Sequence, residues 1–180
     1  MDVLEHLEQE HRQVEQLLER LADADDGERA PLIDELERSL ATHMAVEEQF
    51  LYPLVEQVVD AESEEEAEVE HDLARDGLAK LRELQDKPGF GAAVDMLKAG
   101  IAHHVREEEG ELFPELRREA ADQLAALDPE QLEQQVQTGS TNRSGTGATK
   151  DELYERAKEA GIEGRSSMTK DELEAALAER

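Results

Sequence analysis

The stretch HMAVEEQFLYP at residues 43–53 is matched by HVREEEGELFP at residues 104–114, an offset of 61 residues. Both stretches begin with histidine, carry glutamate four residues later, and end in an aromatic residue followed by proline. At a nearly equal offset of 60 residues, His11 matches His71. The pattern therefore indicates a duplicated pair of helices, with a single histidine on each odd helix and an H-x3-E motif on each even helix.

Four amphipathic helices account for most of the apolar residues. Steps of three and four between apolar positions predict helices over about residues 2–24, 31–59, 63–87 and 90–122. Pro31 suits a first helical turn, and Ser63 can cap its helix with Glu66 as the capping-box partner. Helices of this length with short connections predict an all-α fold, an antiparallel up-down-up-down four-helix bundle over residues 1–126.

Composition narrows the chemistry of any site. The chain of 180 residues has no cysteine, which excludes disulfides, iron–sulfur clusters and thiolate zinc sites and leaves histidine and carboxylate as metal ligands. A formal charge of −28 repels phosphate backbones and excludes nonspecific nucleic-acid binding by the whole chain. No signal pattern opens the sequence and no apolar run approaches the roughly 20 residues of a membrane span, so we expect a soluble cytoplasmic protein without a membrane partner.

The two H-x3-E motifs point to a metal site. Residues four apart lie about 40° apart around a helix axis, so the histidine and glutamate of each motif face one side. Together with the histidines of the odd helices they form a ligand set suited to iron, manganese or zinc, in which the carboxylates can bridge two ions. A single histidine in a glutamate-rich helix is usually a surface residue, but two-fold repetition favours ligation. The candidate ligands are His11, His43, Glu47, His71, His104 and Glu108.

The remaining residues near the repeat are predicted to lie off the metal. His6 is expected at the surface or a helix edge, and His103 points about 100° away from its neighbour His104 because of the helical rotation per residue. Tyr52 and Phe113 are predicted as core residues, although either could line a pocket near the metals. The proline that ends each motif is expected to kink its helix.

Taken together, these motifs resemble the hemerythrin-like HHE cation-binding domains over about residues 1–122. The resemblance implies an antiparallel four-helix bundle with a non-haem di-iron centre, in which an oxo or hydroxo bridge joins the two iron ions. It also implies that this centre interacts with O2, peroxide or nitric oxide. The ligands it implies are His11 and His43 for one iron, His71 and His104 for the other, and Glu47 and Glu108 as bridges.

One histidine of the oxygen-carrying hemerythrins is missing. Their third helix supplies two histidines four residues apart, whereas Arg75 stands four residues after His71 and Ala67 four residues before it. Two six-coordinate irons that share two carboxylates and one bridge would then keep two open positions rather than one. Glu70 or Glu68 could fill a vacancy instead, and the sequence leaves that choice open.

Three functional hypotheses follow. The first is a protein that binds or senses O2, peroxide or nitric oxide at a site of four histidines and two glutamates. The second is a di-iron enzyme at the same centre, with catalase-like disposal of peroxide or ferroxidase-like oxidation of iron. The third is a metal-binding or metal-free structural scaffold. The two open positions favour sensing, oxidant removal or iron handling over reversible oxygen carriage.

A separate C-terminal module is predicted. Residues 127–148 read as a short polar helix and a flexible linker, and residues 149–180 as a helix–loop–helix in which TKDEL recurs at 149–153 and 169–173, each a capping box. The module resembles the N-terminal domain of transcription termination factor Rho and SAP-type modules, which implies a protein or nucleic-acid partner. Its six basic and nine acidic residues leave a charge of −3, which favours protein docking or a structural tail over nucleic-acid contact.

Overall fold

The computed structural model describes residues 2–59 and 61–138, with the backbone alone at residues 61 and 62, and from the rest of the chain residues 153, 154, 156, 176 and 177. The chain divides into two units, Met1–Thr141 and Asn142–Arg180. The five residues described in the second unit are helical. Most of the predicted linker and helix–loop–helix therefore lies outside the described residues.

The predicted all-α class is confirmed, because the described residues contain helices and no strand. Two π-helical turns interrupt the α-helices at Glu47–Leu51 and Glu108–Leu112. The α-helices of the first unit are α1 (Val3–Ala22), α2 (Asp26–Val46), α3 (Tyr52–Val58), α4 (Ala61–Leu84), α5 (Phe90–Glu107), α6 (Phe113–Glu119), α7 (Ala121–Leu124) and α8 (Pro129–Thr138).

Four helical rods form the bundle. The first rod is α1, the second runs from α2 through the first π turn into α3, the third is α4, and the fourth runs from α5 through the second π turn into α6. Helix α1 packs against α2 and α5, and α4 packs against α3 and α5. Short connections between consecutive rods make them antiparallel neighbours, as the sequence predicted.

Local capping chemistry sets the helix starts. The Glu5 N–H donates to Asp2 Oδ1 at 2.8 Å, and the Asp2 N–H donates to Glu5 Oε2 at 3.2 Å, which closes a capping box at the start of α1. Asp25 and Glu28 form a second capping box at the start of α2. The predicted start at Pro31 is therefore wrong, because this upstream box starts the helix earlier and leaves the proline inside it.

Helix α4 also starts earlier than its capping pattern suggested. It begins at Ala61, so Ser63 and Glu66 lie inside the helix and the predicted capping box is wrong. The acidic residues of this first turn and the next suit the positive end of the helix dipole, which offsets the absence of that box. At the other end α4 stops at Leu84, and Gly89 adopts a left-handed φ of 98° before α5 begins.

Each even rod widens into a π-helical turn just before its proline. In a regular α-helix the ring of Pro53 would clash with the carbonyl four residues earlier. In the π turn the Tyr52 N–H instead donates to the carbonyl of Glu47, five residues back. The second turn repeats this arrangement, with the Phe113 N–H on the carbonyl of Glu108. Each turn thus starts at a candidate bridging glutamate.

The buried apolar residues fall into two clusters rather than one continuous core. Along α1, Leu7 belongs to one cluster and Val14 to the other, and His11 lies between them. His43 lies between members of the same two clusters along α2. The candidate ligands therefore occupy a polar layer that separates two apolar halves of the bundle.

Helix α8 extends the bundle at one of these apolar clusters. Leu132 is 5% exposed and shares a cluster with Leu4 and Leu116. On the polar side of the helix, Glu133 Oε1 lies 2.5 Å from His6 Nε2. Among the described helices, none combines the length and the apolar character needed to cross a membrane.

Candidate metal centre

All six candidate ligands are buried in the polar layer. A buried carboxylate or imidazole is rare unless it is paired or holds a metal. Each rod supplies one histidine, and each π turn supplies one glutamate. The exposed fractions are 0% for Glu47, 1% for Glu108, 2% for His11 and His71, 3% for His43 and 8% for His104.

The first group of ligands comes from three rods. His11 Nε2 lies 3.0 Å from His43 Nε2 and 3.3 Å from Glu108 Oε2. His43 Nε2 lies 3.0 Å from Glu47 Oε1. One ligand atom from each of these four residues lies within 4.8 Å of the others, so a single cation can contact all four.

The second group, Glu47 with His71 and His104, shares Glu47 with the first group and lies beside Glu108. His71 Nε2 lies 3.3 Å from His104 Nε2 and 3.2 Å from Glu47 Oε2. His104 Nε2 lies 3.4 Å from Glu108 Oε2, the oxygen that also faces His11. Because Glu47 turns Oε1 to one group and Oε2 to the other, the two groups form one continuous site.

A further carboxylate backs each of the four imidazoles. When Nδ1–H donates outward to such a carboxylate, the lone pair on Nε2 points inward, and the ring is held in one tautomer and orientation. Glu70 takes this outer position rather than an inward one. The Nδ1 to oxygen distances are 2.9 Å for His11 and Glu109, 3.0 Å for His43 and Glu10, 2.8 Å for His71 and Glu48, and 2.9 Å for His104 and Glu70.

Arginines neutralise two of these outer carboxylates. Arg75, four residues after His71, donates from Nη2 to Glu48 Oε1 at 2.7 Å. The same oxygen accepts the bond from His71. In the other half of the bundle, Arg12 pairs with Glu109 behind His11. Arg75 thus supports the His71 imidazole from behind through Glu48.

Tyr52 contacts the second group directly. Its hydroxyl lies 3.0 Å from His71 Nε2 and 3.2 Å from Glu108 Oε1, to which it donates. Its counterpart in the repeat, Phe113, stacks on His11 at 6.0 Å between ring centroids and offers no polar atom. The two halves of the site therefore differ by one hydroxyl group, and the sequence alone does not show what this hydroxyl contacts.

The inward surface is rich in acceptors. Both side-chain oxygens of Glu47 and Oε2 of Glu108 are buried without a hydrogen-bond partner among the described residues. Burial alone lowers the pKa of His43, but the carboxylates of Glu47 and Glu10 raise it well above the usual range. Burial likewise lowers the pKa of His71, and the neighbouring carboxylates of Glu47 and Glu48 raise it to about 9. The buried carboxylates therefore favour positive charge inside the site, and a set of imidazole and carboxylate donors suits a metal cation.

An apolar cavity of about 730 Å³ reaches the four imidazoles along the seam between α4 and α5. Small and aliphatic side chains line it, among them Ala74, Gly77, Leu97 and Gly100. A molecule of two or three atoms needs only a small part of this volume, since one water occupies about 30 Å³ in the liquid. Small apolar molecules can therefore approach the imidazoles along this wall.

The two other histidines of the bundle lie outside the buried groups. His103 is 55% exposed at its side chain and faces Glu107, with 3.3 Å between Nδ1 and Oε1. His6 is 21% exposed and contacts Glu133 of α8. Both placements agree with the prediction that these residues lie off the buried site.

Comparison with known proteins supports the same chemistry. The family model of the hemerythrin HHE cation-binding domain matches residues 2–136. No curated protein and no solved structure matches the chain. The matched range ends before residue 149, so the resemblance of the C-terminal module to the Rho N-terminal domain stays a prediction.

Proposed function

The chain belongs to the hemerythrin HHE cation-binding family, and on that basis we propose that its six buried side chains hold two iron ions and bind or sense O2, peroxide or nitric oxide. Iron at such a site supplies the redox chemistry by which small oxidants are bound or reduced. The side chains of the protein hold the ions, fix their spacing and exclude bulk water.

The observation that carries the proposal is the sharing of two carboxylates between two pairs of histidines. Glu47 directs one oxygen to His43, at 3.0 Å, and the other to His71, at 3.2 Å. Glu108 Oε2 lies 3.3 Å from His11 and 3.4 Å from His104. A centre for one ion would leave one histidine pair without a metal, whereas two ions use all six side chains.

The ligand count favours reactivity over reversible carriage. Four imidazoles and two shared carboxylates leave more positions open than five imidazoles do. Neither residue that could replace the fifth histidine is itself a histidine, and Arg75, one of the two, is turned toward Glu48 on the outer side of His71. Small oxidants could reach these positions along the apolar cavity between α4 and α5.

Tyr52 gives the second group a hydrogen-bond donor. Burial and the charges of Glu108 and Glu47 raise the pKa of its hydroxyl well above the usual range, which keeps the group protonated in metal-free protein. Its contact with Glu108 at 3.2 Å orients the proton at the inner face of the site. A protonated group at this point can stabilise negative charge that develops on a reduced oxidant.

The test is metal analysis of protein expressed with added iron, paired with visible spectra before and after air reaches the reduced protein. We expect two irons per chain and a lasting change to the oxidised colour. Replacing His43 or Glu108 by alanine should abolish stoichiometric iron while most of the helicity remains, because the two apolar clusters support the bundle.

His103→Ala is the matched control, since this histidine lies on the same helix as His104 but is half exposed. It should keep two irons. Two irons per chain in the His43 and Glu108 variants would overturn the ligand assignment. Colourless protein with little iron would leave a scaffold as the better description, and a colour that fades on degassing would indicate reversible oxygen binding.

A second candidate function is enzymatic, either disposal of peroxide or oxidation of iron at the same centre. The Tyr52 hydroxyl beside the second group favours it, because a hydrogen-bond donor at this point can stabilise the negative charge that develops when an oxygen–oxygen bond breaks. Oxygen evolved from peroxide over many turnovers per iron pair would select the first activity. Repeated oxidation of added ferrous ion would select the second.

We also propose that residues 149–180 dock onto a protein partner. Their nine acidic and six basic residues support this over a nucleic-acid partner, since phosphate contacts require a basic face. An electrophoretic mobility assay of the full chain at low salt should show no retardation of DNA or RNA. Retardation that is lost when Lys150, Arg165 and Lys170 are replaced by glutamine would reverse the choice of partner.

A further inference from the structure

Three side chains outside the buried centre converge between α1 and α8. His6 and Glu10 lie one turn apart on α1, and Glu133 extends from α8. One ligand atom of each lies within 4.8 Å of the other two, and His6 Nε2 lies 2.5 Å from Glu133 Oε1. Their side chains are 21%, 14% and 30% exposed in the order His6, Glu10, Glu133. We call these three residues the outer trio.

The outer trio is joined to the buried centre through one carboxylate. Glu10 Oε2 accepts the hydrogen bond from His43 Nδ1 at 3.0 Å, while Glu10 also forms part of the trio. The trio is therefore partly exposed to solvent. On its inner side, the Glu10 side chain alone separates it from the buried imidazole of His43. This placement sets it apart from a surface ion pair.

We propose that the outer trio is a third metal site, which takes a divalent first-row cation such as Fe²⁺ from solution and passes it to the buried centre. One imidazole nitrogen and two carboxylates suit such an ion, and three protein ligands leave positions for exchangeable water. The net charge of −28 draws cations to the surface. The transfer role rests on the proposed function, whereas cation binding at the trio does not.

A comparable cluster elsewhere in the bundle serves as the reference. His103 lies between Glu70 and Glu107, but its Nε2 is 3.9 Å from Glu70 and its Nδ1 is 3.3 Å from Glu107. One ligand atom of each of these residues also lies within 4.8 Å of the others, but the two contacts within 4 Å use different ring nitrogens, a poorer arrangement for one ion. Its side chain is also 55% exposed, against 21% for His6.

The experiment is equilibrium dialysis of the full chain against Fe²⁺ under argon. Wild-type protein should bind three ions per chain at equilibrium, one more than the two retained through purification, because the third ion exchanges with the solution. Glu133→Gln should bind two, because the amide can keep the hydrogen bond to His6, and with it the docking of α8, but loses the charge that the cation needs. His103→Gln should still bind three. Filling of the buried centre should be about tenfold slower in Glu133→Gln, since the local concentration of cations is lost.

Each result decides a separate claim. Equal stoichiometry in wild type and Glu133→Gln, or loss of an ion in His103→Gln, would overturn the third site. One ion in wild type that disappears in Glu133→Gln would support the outer trio and refute the di-iron proposal. Unchanged filling of the buried centre, with the third ion lost, would overturn the transfer role and leave a binding site alone.

Discussion

Replacing Tyr52 by phenylalanine removes a single hydroxyl from one side of the centre and leaves the ring in place. The side chain is 1% exposed, and its hydroxyl lies 3.0 Å from His71 Nε2 and 3.2 Å from Glu108 Oε1. In metal-free protein the variant leaves a buried carboxylate oxygen without its donor. We therefore expect a loss of stability that comes from polar contacts and not from packing.

The size of the loss follows from the charge of the acceptor. A hydrogen bond to a buried charged group contributes about 2 kcal/mol to the free energy of unfolding, and phenylalanine cannot replace it. With a urea dependence of about 2 kcal/mol per molar for a small domain, the urea midpoint of metal-free protein should fall by about 1 M. Circular dichroism at neutral pH measures this midpoint.

Tyr154→Phe is the matched control, because it makes the same change at the other tyrosine of the chain, outside the bundle unit. Its midpoint should stay close to that of wild type. Tyr52→Phe should also keep two irons per chain, since all six proposed ligands remain. A midpoint for Tyr52→Phe within about 0.2 M of wild type would refute the role of the hydroxyl, because that shift is only about 0.4 kcal/mol.

Three further predictions concern stability. The carboxylates of Glu47 and Glu48 outweigh burial and raise the pKa of His71 to about 9. Protonation of His71 therefore stabilises the metal-free fold, fully so below about pH 6.5. That contribution, about 3 kcal/mol, is lost as the pH rises through about 9, so urea midpoints that stay flat up to pH 10 would contradict it. Gly91→Ala, where nothing lies within 4 Å of the new Cβ, should raise stability by about 1 kcal/mol. Gly77→Ala should gain less in the same urea assay, because its Cβ would lie 2.9 Å from Leu97 Cδ1. Chelation of the metal should lower the melting temperature, since the ligands converge only in the folded state; equal melting curves with and without chelator would count against a bound metal.

The repeat made the centre predictable. A ligand site inside a bundle needs one side chain from each rod at the same height, and duplication of a helix pair preserves that height in both halves. The repeat thus pointed to the buried histidines and both H-x3-E glutamates before any geometry was known. Their convergence in the structure depends on helix periodicity, which sequence reveals well.

Contacts made across the bundle could not be derived in the same way. The bond from Arg75 to Glu48 joins α4 to the first π turn, and no sequence spacing encodes which rods become neighbours at that level. The hydroxyl of Tyr52 reaches His71 on another rod, so only the packing decides its role. Helix α2 starts before Pro31 because Asp25 and Glu28 form a capping box upstream of the proline.

The π turns let each even rod carry one additional residue while the faces of its flanking α-helices are kept. A π turn holds one more residue than the α-helix would at the same place. Deleting Gln49 would let the segment return to a regular helix with the spacing of His43 and Glu47 intact. One residue fewer in a regular turn covers about the same rotation as the π turn does, so Tyr52 would stay on the face of the site. If the undeleted segment formed a regular helix instead, every residue beyond it would rotate by about 100° relative to the motif. Between glutamate and proline, then, the π turn accommodates one additional residue without turning Tyr52 away from the site.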